Sequence, residues 1–291
     1  MDQPLSERHI TNSQGLNLFC RYFRPDSVRY PIPRAVILYL HGYAEYFGTD
    51  DAVIDGLLDA GFLVFGHDHV GHGKSEGTRG QIKNVDTYVR DVLIHIDKVR
   101  GSLPDVPFFI LGHSMGGAIA LLAGIEKPNI CQGMILIGPM IVGNPETATP
   151  TKRFLAKIFS KLTPNLGLAN INNDDLCRDR AVVDRFNTDE LIFRGKLSVE
   201  TAHVLLCAAD RIVDNMERIT WPLLCIHGDT DRICDVRGAE VLLEKAASVD
   251  KTVSIYPGSY HRVHNEPNNV GTKCVNEVIS WINARIPSGN N

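Results

Sequence analysis

Residues 111–120 read LGHSMGGAIA, a serine set between two glycines directly after the apolar run Pro107–Leu111. The run has the character of a buried strand. The stretch after it, from Gly116 through Ala118, Ala120, Leu121 and Ala123, has the character of a helix rich in small residues. G-x-S-x-G at a strand-to-helix junction is the nucleophile elbow pattern: Gly112 and Gly116 leave room for a sharp turn and close backbone packing, and Ser114 at its tip projects away from the sheet. In isolation the five residues equally describe a tight turn that happens to contain serine. The rest of the chain has to decide between the two.

Short apolar runs recur at 35–40, 62–65, 108–111, 134–137, 223–226 and 253–256, each bounded by glycine, proline or charge, and helical patterns such as 86–100 lie between most of them. Uninterrupted apolar strands alternating with helices predict a largely parallel sheet covered on both faces. Ligands in such sheets bind beyond the carboxyl ends of the strands, and Ser114 follows one. One interval breaks the rhythm, because residues 138–222 contain no convincing core strand. We read 143–218 as an inserted, mostly helical cap, and 1–142 with 219–291 as the core. No internal repeat is present, and the ends, 1–7 and 286–291, are expected to be loose.

Composition narrows the class. The chain has 291 residues, 44% hydrophobic and 22% charged, which suits one large domain carrying an insertion. A net charge of −4, without a basic block, excludes a general nucleic-acid role. The seven cysteines are scattered, without CxxC pairs, and several sit in apolar runs, so reduced buried thiols are expected. The first fifteen residues are polar and lack a signal-peptide core, and no apolar run reaches membrane-spanning length. These features predict a soluble, cytoplasmic protein that can still visit membrane surfaces.

A serine hydroxyl is a poor nucleophile without a base to take its proton and an acid to hold that base. In this topology the partners come in the order Ser, Asp/Glu, His, on loops after late strands. After Leu223–Ile226 comes HGDTDRIC, 227–234, offering Asp229 and Asp231; after Val253–Tyr256 comes PGSYH, 257–261, and then His264. Asp231 is preferred, because Asp229 directly after Gly228 suits a turn cap. His261 is preferred over His264 because it closes the short Gly-Ser-Tyr loop. The oxyanion hole needs two backbone N–H groups, one from Met115 after the nucleophile and one from the loop after an early strand, where HGYAE, 41–45, offers Tyr43. His41 reads as a support for that loop.

These residues resemble the monoacylglycerol lipases of the α/β-hydrolase fold along nearly the whole chain: HG-x-x-E at 41–45, FGHDHVGHGKSEG at 65–77, VRDVLIHID at 89–97, LGHSMGGAIA, NPETAT at 144–149, TDRICD at 230–235 and SYHRVH at 259–264. The resemblance implies a mostly parallel central sheet flanked by helices with a helical lid, and a triad at Ser114, Asp231 and His261. It implies no cofactor and no metal. It also places Glu45 and His264 at a polar pocket for the glycerol hydroxyls. Two positions depart from the family: Thr49 stands where an arginine is expected and Phe186 where a tyrosine is expected, while Tyr43 replaces a small residue in the oxyanion loop.

Other signals carry less. His67, His69 and His72 fit no standard zinc spacing, and Asp68, Gly71, Gly73 and Ser75 read as a hydrogen-bonded turn. The glycines there do not form a dinucleotide motif. Cys234, three residues past Asp231, reads as packing before it reads as a redox device. Residues 151–162 place Phe154, Leu155, Ile158, Phe159 and Leu162 on one helical face, with Lys152, Arg153, Lys157 and Lys161 largely elsewhere, as in a helix that touches lipid. The expected function is hydrolysis of a monoacylglycerol to fatty acid and glycerol through an acyl-enzyme. The rivals are a lysophospholipase or general carboxylesterase with the same triad and, from another class, a non-catalytic receptor on the same scaffold.

Overall fold

The computed structural model describes residues 8–49, 51–143 and 149–287. Most of the 144–149 motif and the outermost ends lie outside them. Each of the six apolar runs is a strand: β3 (Ala35–Leu40), β4 (Phe62–His67), β5 (Phe108–His113), β6 (Gly133–Ile137), β7 (Leu223–Gly228) and β8 (Lys251–Tyr256). They pair in parallel in the order β4-β3-β5-β6-β7-β8. Along β3 alternate side chains go to opposite faces. Val36, Leu38 and Leu40 join the core under helices α2 (Val85–Arg100), α3 (Met115–Glu126) and α7 (Arg237–Lys245). Ala35, Ile37 and Tyr39 join the core under α1 (Asp51–Asp59) and α8 (Val270–Asn283). Burial on both faces is why these strands read as unbroken apolar runs.

Two further strands, β1 (Arg8–Thr11) and β2 (Asn17–Phe23), are not announced by any apolar run; they form a hairpin that extends the sheet antiparallel to β4. β1 has four residues and a single buried one, so it leaves little pattern to detect. The turn between them is held by Asn12, whose side-chain oxygen accepts from the Gln14 and Leu16 amides.

Between β6 and β7 the described residues form α4 (Pro150–Leu162), a 3-10 turn at Asn173–Asp175, α5 (Arg180–Thr188) and α6 (Val199–Val213). α4 packs on α6, and α6 on α3 and α2. Arg153 of α4 pairs with Asp210, and Arg211 of α6 pairs with Asp86 at the start of α2.

Five of the buried histidines gather around the carboxyl ends of β3 and β4. His67 Nδ1 meets His95 Nδ1 at 3.0 Å, and His95 Nε2 meets the Tyr22 hydroxyl at 2.8 Å. His41 Nε2 accepts from the His69 amide at 2.9 Å. Asp68, the carboxylate among them, accepts from the Phe47 and Lys74 amides, and Ser75 Oγ donates to its carbonyl at 2.5 Å, closing the turn expected from the sequence. Burial lowers His41 to about 3 and His67 and His72 to about 4, and holds His69 and His95 well below the ordinary value.

A base kept neutral in the fold takes its proton on unfolding, so these histidines stabilise the fold above pH 6.5 and lose that contribution as pH falls toward their folded values. Burial raises Asp68 and Asp91 to about 6, which opposes the trend in part, with two groups against five. Thermal unfolding is therefore expected at lower temperature at pH 5.5 than at pH 7.5, with about 1.4 kcal/mol lost per histidine per pH unit below 6.5. A melting temperature flat across that interval would show that these rings do not stay neutral.

Candidate active site

The turn from β5 into α3 holds Ser114 at φ 54° and ψ −119°, a conformation that costs a non-glycine residue about 1–3 kcal/mol. The fold keeps it there through the backbone. Its amide donates to the Ile137 carbonyl at 3.1 Å, and its carbonyl accepts from Gly117 at 3.0 Å and Met140 at 3.1 Å. Gly116 is the steric requirement. A Cβ there would run into the carbonyl oxygens of Leu40 and His41, so the bare backbone of α3's first turn rests directly on the end of β3. That contact sets residues 41–45 beside Ser114.

The loops after β7 and β8 bring up the partners. A Cβ at Gly228 would collide with the carbonyls of Ser259 and Tyr260, so the two loops touch backbone to backbone. His261 Nδ1 meets Asp231 Oδ2 at 2.8 Å, and the Asp231 side chain is fully buried. Its other oxygen accepts from the Ile233 amide at 2.8 Å and the Cys234 amide at 2.9 Å. His227 Nε2 adds a contact to Oδ2 at 3.1 Å. Burial alone would raise this carboxyl; the attraction of His261 and the hydrogen bonds from His227 and His261 outweigh it and hold the group well below the usual carboxylate range. Asp229 is exposed and accepts from the Gly258 amide at 2.6 Å, a turn tether that does not reach His261.

Ser114 and His261 both line a cavity of about 470 Å³, together with Gly42, Tyr43 and Glu45. Ser114 Oγ lies 3.9 Å from Cys234 Sγ. Catalytic serine–histidine bonds commonly tighten only with substrate bound. Burial pushes the Cys234 thiol well above its ordinary value, so it packs against the serine as a neutral group. Met115 is the first residue of α3, and its amide has no acceptor within the helix. Tyr43 lines the cavity and sends its hydroxyl to the Gly80 carbonyl at 2.8 Å, which fixes the side chain. His41 Nδ1 meets the Gly42 carbonyl at 2.8 Å, so both its ring nitrogens brace the loop.

The glycerol-end residues are placed in two different ways. Glu45 borders the cavity, but Oε1 accepts from the Gly42 amide at 2.5 Å and meets His113 Nδ1 at 2.7 Å, while Oε2 pairs with Arg262. His264 does not line the cavity; its ring stands edge-on to His113, 5.1 Å between centroids. Thr49 is buried, with its hydroxyl donating to the Tyr46 carbonyl, and Arg185 donates to the Thr49 carbonyl at 2.6 Å. Phe186 lines the cavity with the Arg262 guanidinium 4.6 Å from its ring centroid. Asn170, Asn172, Asn173 and Asn187 line the same cavity from the segment between β6 and β7.

Sequence reasoning missed His113, Arg262 and His227. The first two flank residues it had chosen, so adjacency was the available signal. His227 was visible only as the residue near the end of β7.

Residues 31–268 match the family described as serine aminopeptidase, S33. The monoglyceride lipase of Mus musculus is 42% identical over 96% of this chain and 90% of its own length. Among solved structures, the Paleococcus ferrophilus monoacylglycerol lipase superposes with a TM-score of 0.81 at 26% identity, over 92% of this chain and 99% of that one. A soluble variant of Saccharomyces cerevisiae monoglyceride lipase, in complex with a substrate analogue, superposes at 0.87 over 99% of this chain and 98% of that one; its 21% identity speaks for the fold alone.

With this geometry, Ser114→Ala and His261→Ala are each expected to remove turnover of a nitrophenyl ester to background, with the double variant no worse, because the groups act as one unit. Asp231→Asn should lose about 10⁴ in kcat through the wrong histidine tautomer. Asp229→Asn should lose far less. The reverse order for the two aspartates would reassign the acid.

Proposed function

The chain belongs to the monoglyceride lipase family of the α/β-hydrolases, and on that premise we propose that it cleaves monoacylglycerols to a free fatty acid and glycerol. The observation that carries the reading is one cavity holding a serine in a strained elbow and a histidine bonded at 2.8 Å to a buried aspartate. In this reading Ser114 Oγ attacks the ester carbonyl as His261 takes its proton, and the Tyr43 and Met115 amides hold the oxyanion. The proton passes from His261 to the departing glycerol oxygen. Water then attacks the acyl-Ser114 ester with His261 again as base, releasing the fatty acid. Asp231 fixes the imidazole and stabilises its charged form. Hydrolysis of monoacylglycerols, diacylglycerols and lysophospholipids side by side, with Ser114→Ala as control, tests the assignment. Preference for another class in that panel would replace monoacylglycerol as the substrate.

Head-group recognition rests on fewer strong donors than the family resemblance implies. Glu45 has both oxygens engaged, and the positions of the expected arginine and phenol hold Thr49 and Phe186. The asparagines of the cavity are the groups suited to hydroxyls, each amide offering donors and an acceptor. Glyceryl and methyl esters of one fatty acid should accordingly differ little in kcat/KM. Phe186→Tyr should raise the glyceryl preference several-fold, the worth of roughly 1 kcal/mol for one added hydrogen bond. A strong preference in the wild type, unchanged by that substitution, would assign recognition to other residues.

The segment 143–218 is proposed as the cap, and α4 as its contact with lipid. Among the described residues no helix is long and apolar enough to cross a membrane. On α4, Arg153, Ala156 and Ser160 are the less exposed positions, while Phe154 is 62% and Leu162 71% exposed, with Leu155, Ile158 and Phe159 also exposed. An ordinary surface helix turns its apolar stripe inward. This one turns it to solvent, with Lys152, Lys157 and Lys161 exposed nearby, which supports peripheral contact with a membrane surface. Serine at 154, 158 and 159 should weaken binding to lipid vesicles and activity on dispersed lipid, and leave hydrolysis of a soluble short-chain ester near wild type. Equal losses on both substrates would make α4 a support of the cavity instead.

A further inference from the structure

Arg262 is the largest fully buried side chain in the described structure. It comes directly after His261, and its amide donates to the Leu176 carbonyl at 2.7 Å. Its Nε donates to Asn265 Oδ1 at 2.8 Å, its Nη1 pairs with Glu45 Oε2, and its guanidinium lies over Phe186. Burying a guanidinium is costly unless it is paired and hydrogen-bonded, and here both conditions are met. The partner is the carboxylate that binds the Gly42 amide, one residue before the oxyanion amide of Tyr43. The chain of contacts therefore runs from the base's own loop, through one ion pair, into the loop that holds the oxyanion.

We propose that Arg262 is a positioning residue for the hydrolytic reaction: by pairing with Glu45 Oε2 it keeps that carboxylate in place and so fixes the Gly42–Tyr43 turn against the elbow. The proposal rests on the reading of Ser114 as nucleophile and Tyr43 as oxyanion donor. Glu45 divides its work between its two oxygens. Oε2 is held by Arg262, which leaves Oε1 to the Gly42 amide and His113 Nδ1. His113 in turn lies against His261, 4.8 Å between ring centroids, so the same carboxylate steadies a wall of the base. The charged and titratable groups facing Glu45 are Arg262, His113, His41, His72, His264 and Tyr39. Burial pushes the Glu45 carboxyl up; Arg262 and then His113 outweigh it and hold it well below the usual carboxylate range. Without the guanidinium, burial acts on the Glu45 carboxyl with its strongest opponent removed, so the group shifts upward and its hold on the Gly42 amide becomes sensitive to pH.

The test compares wild type, Arg262→Met, Arg262→Lys and Arg262→Met/Glu45→Gln with two probes, a soluble nitrophenyl ester and a fluorophosphonate that traps Ser114. Arg262→Met is expected to lower kcat and the rate of trapping by roughly ten- to a hundredfold, below the full loss of an oxyanion donor, with KM nearly unchanged. Its kcat/KM should fall on the acid side through a transition absent from wild type, and that transition should vanish in the double variant, where residue 45 no longer titrates. Arg262→Lys should recover part of kcat, and it carries the comparison if Arg262→Met does not fold. A folded Met or Lys variant with a lowered melting temperature but wild-type kcat, trapping rate and pH profile would reduce Arg262 to a packing residue and overturn the proposal. Because trapping needs the activated serine and its oxyanion site but no glyceryl group, a chain trapped normally yet inactive on glyceryl esters would refute the substrate reading and leave this test intact.

Discussion

The catalytic end of the sheet depends on a place where no side chain fits. At Gly116 the backbone of α3 meets the Leu40 and His41 carbonyls directly, and this contact brings together the two segments proposed to supply the oxyanion amides. A methyl group there would lift the helix from the strand and part Met115 from Tyr43. The strain at Ser114 is tolerated only because the Ile137, Gly117 and Met140 backbone bonds determine its position independently. Steric exclusion and backbone hydrogen bonding thus fix Ser114, and side-chain chemistry is added to a frame already set.

Charge at the site is confined to pairs. Asp231 faces His261 and His227, and Glu45 faces Arg262 and His113, all with little or no exposure. Both carboxylates are held low against the pull of burial, Asp231 by the His261 and His227 imidazoles and Glu45 by Arg262 and His113, and each also binds a backbone amide of a loop lining the cavity. Two loops are organised in the same way. Where the geometry differs is in what each carboxylate holds: Asp231 meets the His261 ring, and Glu45 the Gly42 amide.

The six parallel strands and the elbow were legible because their causes are local. Burial on both faces writes itself as apolar runs, and a sharp turn needs glycine at fixed offsets. The order of the late loops came from topology, and Asp231 is the carboxylate that reaches His261. The β1–β2 hairpin was not legible, since a short edge hairpin leaves a single residue of β1 buried. Arg262 was not legible either: its partner lies 217 residues away in sequence, and an arginine in a loop ordinarily signals solvent. For α4 the stripe could be counted, but not the direction in which it points. That depends on α6, which packs on α4 and holds Arg153 through Asp210.

Docking of α4 on lipid, as proposed, would change the quantity that governs turnover. An enzyme gathered onto lipid through Phe154, Phe159 and Leu162 meets its substrate in two dimensions, where encounters depend on mole fraction within the surface. Adding an inert lipid or detergent that enlarges the surface would then slow the reaction while the bulk substrate concentration stays the same. Rates of this enzyme would be set by how crowded the ester is in its film.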